Sequence, residues 1–123
     1  MRQSADGLVT QFAKNVMAQN DAIMNGLGHR IGNIHAKRYI RCFDALCALG
    51  DHGKEKLSTL FVHEDPGVRS MAATFLLKYK THEALHVLRE LSKGEGLVAF
   101  GSQEAIKRWE EGTWDLEPKV PVR

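Results

Sequence analysis

Proline occurs at only three positions, Pro66, Pro118 and Pro121, so nothing ahead of Pro66 carries this break. Proline ends helices firmly because it lacks the N–H that the ladder needs and its ring clashes with the preceding turn. A long proline-free stretch can therefore be helical, with glycine as its punctuation. The apolar residues fit that reading. Ala5, Leu8, Val9, Phe12, Val16 and Ile23 fall within about 100° on a helical wheel, and Ser4 stands where an N-cap belongs. Asn25-Gly26-Leu27-Gly28 breaks the run. A second helix is predicted from about Arg30 to Leu49, burying Ile40, Phe43, Leu46 and Cys47, with Ala45 and Leu49 extending apolar character to a second side. Gly50 suits the position just past a helix end, and Asp51-His52-Gly53 reads as a turn. Leu57, Leu60 and Phe61 mark a short helix after it.

The sharpest boundary is His63-Glu64-Asp65-Pro66-Gly67-Val68, where Asp65 is a strong N-cap and Pro66 fits the first helical position. Val68, Met71, Ala72, Phe75 and Leu76 form the next buried face, and Tyr79-Lys80-Thr81 ends that helix. Thr81 is expected to cap a further helix that buries Ala84, Leu85, Leu88 and Leu91. After the loop Lys93-Gly94-Glu95-Gly96, a last helix carries Ala105, Ile106 and Trp109, stops at Gly112, and leaves Trp114 to fold back over its end. No segment alternates with period two between turn residues, so strands are not expected. The fold class is all-α, built of five or six helices in pairs joined by short loops.

The chain has 123 residues, enough for one core, and a single helical domain over residues 1–116 with a loose tail at 117–123 is the expectation. With 43% hydrophobic and 26% charged residues, the composition is that of a globular protein and excludes disordered or collagen-like classes. No apolar run approaches the roughly 18 residues of a membrane helix, and Met1 to Gly7 lacks the apolar core of a signal peptide. Cys42 and Cys47 stand five residues apart on one predicted helix, about 140° around it, so they cannot bridge. That pattern suits a reduced, cytoplasmic protein with two small core residues.

Sliding the chain by 28 residues aligns Ile40 with Val68, Arg41 with Arg69, Ala45 with Ala73, Leu49 with Leu77, Leu57 with Leu85 and Leu60 with Leu88. A slide near 32 brings Ala73 onto Ala105 and Leu77 onto Trp109. Such self-similarity signals a helical repeat, in which small residues such as Ala72 and Ala73 let neighbouring helices approach closely. Asp65-Pro66-Gly67-Val68-Arg69-Ser70-Met71-Ala72-Ala73-Thr74-Phe75-Leu76 resembles the D-P-x-V-R-x-x-A-A-x-x-L hallmark of HEAT-like repeats, and Glu83 to Leu88 resembles the second helix of one. From Ser4 to Trp114 the order of helices is similar to a family of small bacterial HEAT/armadillo-like domains of unknown function. The resemblance implies an α-α superhelical stack of helical hairpins, with the first helix and the Trp109–Trp114 region as its two caps. It implies no activity. The hallmark is complete only in the repeat that opens at Asp65.

Two constellations could carry chemistry. His82-Glu83-Ala84-Leu85-His86 is a literal H-E-x-x-H, the zinc-hydrolase pattern in which two histidines share a helix face and the glutamate activates a metal-bound water. It opens at a helix start, Arg89 occupies the place of the glycine in the extended motif, and Glu104 is the one nearby downstream carboxylate at a plausible spacing. Ala84, Leu85 and Leu88 are needed for the core, which leaves His82 and His86 as rim residues. No metal or other cofactor is expected. The second constellation is basic. Between Ala22 and Phe43 there is no Asp or Glu, while Arg30, Lys37 and Arg41 lie within about 40° of one another on a continuous helix and Arg38 about 60° beyond. Such a stripe attracts phosphate backbones or acidic protein surfaces. Only Tyr39 could offer a ring for base stacking beside it, and Arg41 aligns with Arg69, whose expected role is a bond between neighbouring repeats. Trp109 and Trp114 could anchor a partner, although the spacing of Trp109 from Ala105 and Ile106 places it in the core.

The expectation is therefore a non-catalytic protein-binding module whose partner has an acidic surface, with an immunity- or adaptor-type role as one concrete form. A minimal zinc hydrolase and a nucleic-acid binder are the alternatives. No membrane association is expected, and a short stack with exposed ends leaves room for a homodimer.

Overall fold

The structure is a computed structural model that describes residues 4–113; Trp114 and the tail at 117–123 lie outside the described residues. It is all-α, with six α-helices and no strand among the described residues. Within the span expected to form one domain, the helices gather into two compact units, the first reaching to Leu57 and the second beginning at Ser58.

The first unit holds α1 (Ala5–Met24), α2 (His29–Ala48) and α3 (Asp51–Ser58). The Ser4 hydroxyl accepts the Gly7 N–H at 3.0 Å, the expected N-cap. Gly26 and Gly28 take φ of +67° and +88°, a region closed to most side chains, and so turn α1 back into α2 within a few residues. The two helices share a core of Leu8, Phe12 and Val16 against Tyr39, Phe43 and Leu46. The Phe12 and Tyr39 rings sit 5.6 Å apart at 59°, a favourable tilted pair. The Tyr39 hydroxyl donates to Gln19 Oε1 at 2.9 Å, so the buried phenol keeps a partner.

Three expectations need correction in this unit. Ile23 is 48% exposed, and Ala22 turns inward instead. On α2 the buried face is rotated, so that Tyr39 and Cys42 are buried while Ile40 is 37% exposed and Cys47 is only half-buried. A ring buries more area than an isoleucine, and Gln19 removes the cost of the tyrosine hydroxyl. Asp51-His52-Gly53 is not a turn but the start of α3; Gly50, at φ +74°, reverses the chain alone. Gly53 is required for another reason, since a Cβ there would collide with the Leu46 carbonyl. After α3 a 3-10 turn covers Thr59–Val62, placing Leu60 in the core and Phe61 half-buried.

The second unit holds that turn, α4 (Pro66–Leu76), α5 (Thr81–Ser92) and α6 (Leu97–Glu111). Asp65 Oδ1 accepts the N–H groups of Gly67 and Val68 at 2.8 and 3.2 Å, with Pro66 as the first helical residue. Arg69 Nη1 donates to the carbonyls of His63 and Glu64 at 2.6 and 3.2 Å, and His63 Nδ1 accepts the Asp65 N–H at 3.0 Å. Arg69 thus fastens its own N-terminal loop, which corrects its expected role between repeats. Thr81 is the first residue of α5 rather than its cap, and its hydroxyl donates back to the Leu77 carbonyl. Both α5 and α6 pack on α4, burying Ala73, Leu77, Ala84, Leu88 and Ala105 together, with Trp109 packed partly buried at the edge. Ser70 and Ser102, both buried, join α4 to α6 through a 2.8 Å hydrogen bond. Gly112 ends α6 in the left-handed conformation, as its position predicts.

Candidate functional site

All four basic residues of the predicted stripe, Arg30, Lys37, Arg38 and Arg41, are exposed on α2. Their arrangement follows from the rotation of the helix. Tyr39, Cys42, Phe43 and Leu46 point into the first unit, so residues half a turn away face outward. None of the four makes a hydrogen bond or ion pair within the described residues. That differs from other charges of the molecule. Lys56 pairs with Asp6 at 3.1 Å in the first unit, and Lys93 pairs with Glu90 at 2.8 Å in the second. The hydrogen bond from Lys93 holds the Glu90 carboxyl below its usual range.

Apolar side chains that the wheel did not single out lie within this face at Ile34 and at its two opposite edges at Ile31 and Ile40. Ile31, Ile34 and Ile40 are exposed along α2, and Met24 and Leu27 are exposed at the turn that leads into it. The outer surface of α2 is therefore mixed, with cations and aliphatic side chains side by side. Tyr39, the one ring that could have stacked a base there, is buried against Phe12. Burial pushes its phenol above the ordinary range, with the Gln19 hydrogen bond opposing.

His82 and His86 are both exposed. They stand on the rim of an open groove of about 720 Å³ in the second unit, lined also by Phe61, Val62, Val87 and Leu91 and flanked by Arg69, Glu83 and Glu90. Val62, 87% exposed, forms one lip. No group of three His, Cys, Asp or Glu side chains among the described residues is arranged to hold a metal ion. The third ligand that the H-E-x-x-H reading requires therefore does not converge on His82 and His86. Cys42 is buried and Cys47 half-buried; burial pushes both thiols up, with Lys54 opposing at Cys47. Raised thiols hold less thiolate at neutral pH and react slowly.

The groove was missed from the sequence because Phe61 and Val62 belong to a 3-10 turn that the periodicity merged with the preceding helix. The Ser70–Ser102 bridge was also missed, yet the slide of 32 residues that matches Ala73 to Ala105 also matches Ser70 to Ser102. No helix among the described residues is long and apolar enough to cross a membrane. No protein-family model, curated protein or solved structure matches the chain.

Proposed function

We propose that this chain is a non-catalytic protein-recognition module, HEAT-like in its repeat, that docks an acidic surface of a partner protein against α2. The reading rests on one observation: Arg30, Lys37, Arg38 and Arg41 are exposed on a single helix and unpaired within the described residues. Unpaired like charges on one face repel one another and gain most from an oppositely charged surface, which also speeds encounter. Nucleic acid fits less well, because the face offers no exposed ring for a base. A cytoplasmic adaptor, or an immunity protein that neutralises a toxin, is the form such a binder would take at this size.

The test is capture of partners from the source cell by the wild-type chain and by an Arg38→Glu/Arg41→Glu variant. An acidic protein is expected to be retained at low salt, released as salt rises, and lost with the variant. Retention of equal material by the variant would refute the reading. Nuclease-sensitive retention would replace it with the nucleic-acid alternative. His86→Ala is expected to leave capture unchanged; its loss of capture would move the site to the groove.

A further inference from the structure

The internal 28-residue correspondence identifies what should lie on α2. It sets Val68, Ala72, Ala73, Leu76 and Leu77 against Ile40, Asp44, Ala45, Ala48 and Leu49. Every member of the first set is buried: α5, α6 and the 3-10 turn pack on α4, and Ala73 and Leu77 share one core with Ala84 and Leu88 of α5 and Ala105 of α6. No member of the second set is buried. The corresponding flank of α2 is less covered: Ile40, Ala48 and Leu49 are exposed, and Asp44 and Ala45 are half-buried. The cations occupy this flank: Arg41 lies on the same side as Ala45 and Ala48, and Arg30 and Lys37 stack above it at helical spacing. Ile34 falls about 20° from Arg41, with Arg38 about 40° further on, so an aliphatic side chain sits inside the basic field.

We propose that the acidic partner presents a helix to this flank, one that lies along α2 and carries an apolar line bordered by carboxylates. The inference deepens the protein-recognition reading and rests on it. A helix is the element that the corresponding flank of α4 accepts, and the cations fix its charge. The span from Arg30 to Arg41 is about 16 Å, three turns, so a partner helix of about 15 residues covers it. A phosphate backbone or a flexible acidic tail would neutralise the cations and leave Ile31 and Ile34 in water. A helix with leucines between its glutamates covers both.

The experiment titrates the full chain into three fluorescent probes and one membrane: a 15-residue designed helix of leucine and glutamate with the leucines on one face, a polyglutamate peptide of equal charge, a duplex oligonucleotide, and phosphatidylserine-containing vesicles. The amphipathic peptide is expected to bind about ten-fold tighter than polyglutamate, the worth of covering a partly exposed aliphatic side chain. Ile34→Ser should abolish that advantage and leave polyglutamate binding unchanged. Arg38→Glu should weaken both peptides. Equal affinity for the two peptides, or indifference to Ile34→Ser, would overturn the helix while leaving an acidic partner in place. Indifference of both peptides to Arg38→Glu would overturn the acidic-partner reading itself. Tighter binding to the duplex or the vesicles than to either peptide would overturn both. Circular dichroism of each variant confirms that these exposed substitutions leave the helices intact.

Discussion

In the first unit, α1 meets α2 through Phe12, Tyr39, Phe43 and Leu46; in the second, α4 meets α6 through Ser70 and Ser102, with Ala73 and Ala105 in the same core. Large side chains fill the space between two long helices and leave the far side of each without a role in the core. Small residues bring helices close, so that α4 can be covered on more than one flank. The difference explains where the outward apolar surface lies. Ile31, Ile34, Ile40 and Leu49 are exposed around α2, whereas α4 has no exposed large hydrophobic residue. A helix used on one side only has a second side to offer, and in this molecule that side is positively charged.

The contrast can be broken first at the cores. Phe43→Ala in the first unit and Leu88→Ala in the second should each cost about 3–4 kcal/mol, since both side chains are essentially fully buried. Hydrogen exchange is expected to quicken mainly among amides of the unit that carries the substitution. Uniform quickening across both units would erase the division between them. A smaller effect tests the close contact in the second unit. Ser70→Ala leaves the Ser102 hydroxyl buried without its partner and should cost about 1–3 kcal/mol in a urea titration. The double replacement of both serines by alanine should recover much of that loss. A double variant as unstable as the sum of the singles would mean that the hydroxyls act separately. The smallest effect compares the two helix starts. Asp65→Ala removes an oxygen that serves two N–H groups, and Ser4→Ala one that serves a single N–H. Losses of about 1 kcal/mol are expected, larger at Asp65, and equal melting shifts would contradict the ranking.

Punctuation was the most legible part of the sequence. Ser4, Asp65-Pro66, Gly50 and Gly112 each act through their own backbone neighbours, so their roles can be read locally. The burial pattern of α4 and α5 was legible in part: Val68, Ala72, Phe75, Leu76, Ala84 and Leu88 are buried as expected, while Met71, Leu85 and Leu91 are only half-buried. On α2 it was less so. Ile31, Ile34 and Ile40 compete with Tyr39, Cys42 and Phe43 for the inside, and the choice is made by Phe12 and Gln19 on another helix, which no periodicity reveals. The cations of the candidate site were visible as a run without acids. That they stand unpaired, and that Ile34 shares their face, depends on how α2 is rotated in its hairpin, a property of packing rather than of composition.

The contact of Gly53 with the Leu46 carbonyl carries a consequence for finding kin of this chain. An elbow that brings α3 so near the backbone of α2 tolerates no side chain at its closest point. Distant sequences that have drifted in every other respect would still share a bare position seven places after the residue whose carbonyl makes that contact, and this single fixed spacing makes a sharper search probe than the aliphatic pattern around it.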